Sequence, residues 1–418
     1  MQKKYWFYVD TFVHISIKKN NALLYNSFTG KYFEVKDSPS IISLLKRLKS
    51  LNNVGVLSMN ETTLKPVLEF VDQVRNNFMG DLIEVEHSQR KPVQTVPVIT
   101  IQKGVDHLNK VDGKSAGEDI LNYLRLLTLY INDACEQNCS FCSQAYQQFN
   151  CCFKGKRENR ELSISTIDKV LKTTRNSLEV LILSGGNILN YSRLEDLIQL
   201  LMTSPAKKTL CINYLNLKDN FNRLNLLENL DLLEVEVPVF FPINIEEFEG
   251  VHRRIQKMRI KVHFNFVIQT DEEFEAAEQL ISANVLEDFG YIPFYNGSNY
   301  DLFSENVFIN RSDIESNQPS MIDIYRNEII NSNFFGKLSI ASDGRIFAAL
   351  TESSLGNIIN DPLKEILVKE LVEGKSWRKV RKNVLPCKKC TFQSICPPIS
   401  NINKLIGKSN LCHIYDNT

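Results

Sequence analysis

The sequence predicts an α/β protein: a parallel sheet in the middle, closed or partly closed as a barrel of six strand-helix units, with a smaller α+β unit before it and a cysteine-rich extension after it. Three observations carry this. Between residues 115 and 300, near-continuous apolar strands alternate with amphipathic helical stretches. Residues 1 to 90 carry strand signals first and helix signals second. Four cysteines crowd the last 32 residues, from Cys387 onward. Strands buried on both faces read as unbroken apolar runs, and a parallel pair needs a crossover long enough to hold a helix. At 418 residues the chain exceeds one typical core, so several units are expected.

In the first unit, "YWFYVDTFVHISI" and "ALLYNSFTGKYFEV" are β-rich, and the second is split by a Ser-Phe-Thr-Gly turn. Two helical patterns follow. One places Ile41, Leu44, Leu45 and Leu48 on a face, and the other Leu64, Leu68, Val71 and Val74. Residues 91 to 114 are polar, are broken by Pro92 and Pro97, and read as a linker.

From Ser115, at capping-box spacing to Glu118, a helix should lead into the strand "LRLLTLYI". The strands "LEVLILSGG", "KTLCINYLN", "LLEVEVPVFF", "IKVHFNFVI" and "FGYIPFY" follow, with helical stretches between them. Right-handed crossovers put every strand-to-helix loop on one rim, where barrel active sites are built. That rim receives the cysteines of "DACEQNCSFCSQ" after the first strand and Gly185-Gly186 after the second. Residues 301 to 335 read as a connecting region. Residues 336 to 418 hold a hairpin turning at Ser342-Asp343-Gly344, a helix in "DPLKEILVKELVEG" and the cysteine tail.

Lys plus Arg and Asp plus Glu are equal at 49 each, so no net field draws the chain to nucleic acid or an anionic membrane. The opening is too broken by charge for a signal peptide, and no apolar run reaches the roughly 18 residues that span a bilayer. A cytoplasmic protein is expected. In a reducing compartment, clustered thiols point to metal ligands or catalysis rather than disulfides. Of ten cysteines, seven fall in two clusters: Cys135, Cys139 and Cys142, then Cys387, Cys390, Cys396 and Cys412.

Three thiolates can hold three irons of a cubane cluster and leave the fourth iron for substrate or cofactor. Two alternatives stand beside this. Spacings of four and three also line up one stripe of a helix, although the other apolar residues of such a stripe are missing. Zinc would also bind thiolates, but a closed structural site takes four ligands. The four tail cysteines suffice for one closed cluster, and zinc fits the same count.

Cys-x3-Cys-x2-Cys with Phe141 before the last cysteine, placed after the first strand of an α/β array, resembles the radical S-adenosylmethionine (radical SAM) superfamily. The resemblance implies a partial (βα)6 radical-SAM-type barrel and a 4Fe-4S cluster on Cys135, Cys139 and Cys142. It also implies S-adenosylmethionine on the open iron, cleaved reductively to a 5'-deoxyadenosyl radical. Ser184-Gly185-Gly186-Asn187 resembles the family's Gly-Gly-Glu loop at the methionine end of the cofactor. Asn187 stands where the acidic residue would pair with the ammonium group, so an acceptor is kept without its charge.

The tail, with its hairpin and "LGNIINDPLKEI", resembles the SPASM extension of radical SAM peptide maturases. That extension usually carries two auxiliary clusters. Ala348, Ala349 and Ser400 stand where further cysteines would be expected, so one auxiliary 4Fe-4S cluster is implied, on Cys387, Cys390, Cys396 and Cys412. The first unit is similar to a winged-helix leader-binding domain, which captures an extended peptide along a sheet edge. Taken whole, the chain resembles the pseudo-rSAM/SPASM proteins encoded with paired-glycine precursor peptides. The implied partners are a ribosomally made precursor peptide and an electron donor. The implied activity is hydrogen abstraction from that peptide. The alternative is a degenerate homologue that presents the precursor to a partner maturase. No catalytic residue is assigned; Cys151 and Cys152 receive no role, and Cys211 falls in a strand as a core residue.

Overall fold

The computed structural model describes residues 3–85, 90–92, 94, 119–137, 139, 141–152 and 158–415. The first strands are β1 (Lys4–Val9), β2 (Val13–Lys18), β3 (Asn21–Asn26), β4 (Tyr32–Val35), β5 (Val56–Asn60) and β6 (Gly80–Glu84). They form two antiparallel sheets, ordered β5-β1-β6 and β2-β3-β4. The helix Pro39–Leu48 starts on a proline whose missing N–H costs nothing at that position, and it buries Ile42, Leu44, Leu45 and Leu48.

The second helical pattern is not one helix. Asn60 and Thr63 cap a short helix, Glu61–Leu64, and a 3-10 turn at Lys65–Val67 precedes the helix Leu68–Asn76. Pro66 cannot donate into a continuing ladder, so the break falls there. The buried stripe shifts accordingly: Phe70, Val71 and Val74 turn inward while Leu68 is 45% exposed, a correction to the expected face.

The central strands are β7 (Leu126–Tyr130), β8 (Val180–Ser184), β9 (Lys207–Cys211), β10 (Leu233–Phe240), β11 (Lys261–Ile268) and β12 (Phe289–Pro293). Each pairs in parallel with the next. Between them, helices at Ile164–Thr174, Ile245–Ile255 and Asp271–Asn284 begin on Ser163, Asn244 and Thr270, whose side chains accept from backbone N–H groups three residues on. The apolar faces of these helices and of the sheet merge in one core. Of the helix expected from Ser115, only a 3-10 turn at Ile120–Tyr123 falls within the described residues; its start and most of the expected linker lie outside them.

The hairpin does not stand apart from the barrel. β13 (Lys337–Ile340) runs parallel along the free edge of β7, and β14 (Arg345–Phe347) and β15 (Gly356–Asn357) extend the sheet antiparallel. The result is an open sheet of nine strands, ordered β12-β11-β10-β9-β8-β7-β13-β14-β15. A further core joins the first unit to the tail: Leu23 and Tyr25 of β3 pack with Ile314, Ile324, Phe392, Ile395 and Cys396. Among the described residues no helix is long and apolar enough to cross a membrane.

His14 on β2 is buried, and its Nε2 has no hydrogen-bond partner among the described residues. Burial, with a smaller contribution from the Lys49 charge, pushes its pKa from 6.5 to about 3. The folded chain therefore holds a neutral imidazole that the unfolded chain protonates once the pH drops below about 6.5. Stability is lost as pH falls through that window, by about 2 kcal/mol between pH 6.5 and 5. Urea unfolding should show this loss in the wild type and a much smaller one in His14→Leu; equal losses would remove His14 as the cause.

Candidate functional site

β7 leads into the first cysteine loop, and β8 leads into Gly185-Gly186-Asn187. Asn132, fully buried, ties the two loops. Its backbone carbonyl and its Oδ1 each accept from the Gly186 N–H at 3.0 Å, and its Nδ2 donates to the Asn187 carbonyl at 2.8 Å. The Asn187 N–H donates to the Ala134 carbonyl at 2.6 Å. This approach demands glycine. A Cβ on Gly186 would lie 2.0 Å from the Ala134 oxygen, and Gly185 has φ +146 with the Asn132 carbonyl 2.6 Å from its Cβ position.

Asn187 is 3% exposed, and its Oδ1 has no hydrogen-bond partner among the described residues. A buried acceptor without a donor costs free energy unless a ligand supplies one. Asn216, also buried, bridges the loops from the helix Tyr214–Asp219: its Nδ2 reaches the Gly186 carbonyl at 3.3 Å and Cys135 Sγ at 3.9 Å. Sequence reasoning missed Asn132 and Asn216. The available signal was a polar residue directly after an apolar strand, in "LYIND", and another in "CINYLN".

Cys135, Cys139 and Cys142 are half-buried, and Cys142 opens the helix Cys142–Gln148 with its N–H on the Cys139 carbonyl at 3.2 Å. The Cys152 hydrogen bond holds Cys135 well below the usual thiol range, at about 6. Cys139 is raised by its hydrogen bond to Cys142 and then by burial. Cys152 keeps its proton, through hydrogen bonds to Cys135, Cys142 and Cys151 and then burial. Among the described residues no three His, Cys, Asp or Glu side chains gather as a single metal ion would require. The thiols meet pairwise instead, and a cubane takes its thiolates at separate corners.

Phe141 turns toward the barrel mouth, stacked on Phe240 at 4.0 Å and edge-on to Phe294. These rings pack with Phe149 and Ile292 in one apolar cluster beside the thiol loop. Ser184 is fully buried, and its Oγ donates to the Cys151 carbonyl at 3.2 Å. Cys211 is buried in the core region, as its strand position implied, with Sγ 2.6 Å from the Asn150 carbonyl. Below the rim lies a lumen of about 370 Å³ with Thr128, Glu236, Asn265, Lys337 and Ser339 among its walls. Burial raises the Glu236 carboxyl and lowers the Lys337 amine.

In the tail, Cys387, Cys390, Cys396 and Cys412 line one small cavity with Arg381. The buried Arg381 guanidinium donates to Cys387 Sγ at 3.4 Å. Burial pushes Cys390 to about 11 and Cys396 to about 12, so a metal must displace both protons. The positions that lack cysteine have other uses. Ala348 and Ala349 line the lumen, and Ser400 caps the helix Asn401–Ile406. His413 lies 2.6 Å from the Ser304 carbonyl through Nε2 and fastens the tail there.

No family model matches the sequence, and no curated protein matches it. Solved structures do. SuiB of Streptococcus suis bound to precursor peptide SuiA is 14% identical over 98% of this chain and 99% of that one, with a TM-score of 0.48. SuiB bound to S-adenosylmethionine is 13% identical over the same shares, with a TM-score of 0.49. BtrN in complex with AdoMet and 2-DOIA is 13% identical over 65% of this chain and 98% of that one, with a TM-score of 0.37. At these identities and TM-scores the likenesses are distant.

Gly186→Ala should force the two loops apart, at about 1–3 kcal/mol for an overpacked site. A lower thermal midpoint and faster alkylation of Cys135 are expected, with mass spectrometry locating the adduct. Wild-type behaviour in both would mean that the loops do not interlock in solution.

Proposed function

We propose that this chain is an iron-sulfur protein of the radical SAM type that acts on a ribosomally made precursor peptide. Cys135, Cys139 and Cys142 would hold the core 4Fe-4S cluster, and Ser184, Gly185, Gly186 and Asn187 would hold the methionine end of S-adenosylmethionine. The observation that carries this reading is the buried, partnerless Asn187 Oδ1, in a glycine loop stitched to the thiol loop by Asn132. An ammonium group supplies the donor that this oxygen lacks, and the two glycines let the thiol loop approach closely enough to hold Asn187 in place.

When bound, the cluster and cofactor supply one-electron cleavage of the sulfonium and hydrogen abstraction from the peptide. The chain orients and shields. Phe141, Phe240 and Phe294 keep water from the loop, and the polar lumen wall offers partners to a peptide residue. In this reading residues 1 to 90 form a winged-helix-like leader-binding domain, residues 115 to 300 the barrel and residues 336 to 418 a SPASM-like extension. Two three-stranded sheets in the first unit end on edge strands that an extended leader could join. The four tail thiols would hold one auxiliary 4Fe-4S cluster. An electron donor in a reducing cytoplasm completes the set of partners.

A second reading, a degenerate homologue that presents the precursor to a partner maturase, is favoured by the missing charge at Asn187. One experiment separates the two. Anaerobically reconstituted protein is incubated with S-adenosylmethionine and dithionite, and 5'-deoxyadenosine is quantified against Cys135→Ala/Cys139→Ala/Cys142→Ala. The triple variant should lose about four irons per chain and fall to background product. Full iron without product in the wild type selects the second reading, and unchanged iron in the triple variant rejects both.

A further inference from the structure

The pair Cys151-Cys152 has no part in the proposed cofactor site, yet it sits beside the three core thiols. Cys152 Sγ is 3.8 Å from Cys142 Sγ and 3.6 Å from Cys151 Sγ. Cys139 is hydrogen-bonded to Cys142 in turn. One thiol therefore lies against Cys142, the last of the three expected ligands, from ten residues beyond it.

The approach is built into the barrel rim. The segment carrying Cys152 is pinned at successive residues by groups from different parts of the rim. Gln148 exchanges two hydrogen bonds with the Tyr295 backbone, at 2.8 and 2.9 Å, just past β12. The Asn150 carbonyl accepts from Cys211 of β9, and the Cys151 carbonyl accepts from Ser184 of β8. Cys151 takes the place that plain packing would give a cysteine, 6% exposed among Ala145, Val267 and Phe294. Cys152 packs against the edge of the same cluster, with its half-buried Sγ turned onto Cys142 Sγ.

We infer that Cys152 is a fourth thiol ligand of the core cluster, occupying the iron that three cysteines leave open, so that S-adenosylmethionine must displace it to bind. This deepens the radical SAM reading and rests on it. Ligation needs no oxidant or reductant: the Cys152 thiol gives its proton to water and its lone pair to iron, and takes a proton back when the amino and carboxylate groups of the cofactor replace it. A resting cluster closed in this way keeps its fourth iron. A thiol that occupies the site in about nine molecules of ten also weakens apparent cofactor affinity about tenfold.

The test uses the full reconstituted chain. Without S-adenosylmethionine, mild ferricyanide oxidation is followed by electron paramagnetic resonance for the three-iron cluster that forms when an open iron is lost. Wild type and Cys151→Ala should give little of that signal, and Cys152→Ala several-fold more. Equal conversion in wild type and Cys152→Ala overturns the inference. If Cys152→Ala does not fold, the wild type decides alone, since ready conversion of its core cluster would overturn the inference as well. In a second arm, S-adenosylmethionine is titrated against the spectrum of the reduced cluster. Cys152→Ala should respond at about one-tenth the wild-type concentration. A response in the variant alone also supports a capped iron, whereas matching titrations reject displacement. Iron per chain in the triple alanine variant is measured alongside. If it matches the wild type, the core cluster itself is absent, and the underlying reading has failed rather than the role of Cys152.

Discussion

The close backbone approach between the loops after β7 and β8 is the constraint on which the candidate site depends. Asn132 spends both ends of its amide and its own carbonyl on Gly186 and Asn187, and the Asn187 N–H returns to Ala134. Two loops that would otherwise be independent are thereby held as one body. The thiol loop inherits its position from that body, because Asn216 reaches Gly186 and Cys135 together. Buried amides with every bond made specify geometry sharply, since slipping one loop leaves several groups unsatisfied.

The sheet extends this rigidity beyond the six central strands. β13 completes hydrogen bonding along β7, the strand that feeds the cysteine loop, and Ser342 in the following turn approaches Asp133 at 3.5 Å. Asp133 also accepts from the Arg160 N–H at 2.7 Å. The segment after the barrel is therefore part of the support for the first cysteine loop.

Much of this was legible in the sequence. The six parallel strands were, because burial on both faces leaves unbroken runs such as "LEVLILS". The thiol and glycine loops were, because both follow strands and chirality sends such loops to one rim. What escaped was set by tertiary contact. The split at Pro66 rotated a helical stripe that periodicity alone read as continuous. β13 has the same local pattern as an isolated hairpin strand, and only the free edge of β7 decides its partner. Asn132 and Asn216 are ordinary letters until the backbone of a distant loop arrives beside them. Cys152 is separated from Cys142 by a helix and a turn, so no spacing rule links the two.

The core shared by β3 and the tail has a thermodynamic meaning. Leu23 and Tyr25 lie against Phe392, Ile395 and Cys396, so the sheet of the first unit and the tail thiols are packed on one another without an intervening solvent layer. Events at the two places are coupled equilibria. Whatever free energy metal loading at the tail contributes to an occupant of that sheet, the occupant must return in full as tighter metal retention. A change in packing at the tail thiols is thus transmitted to a sheet far from them in sequence.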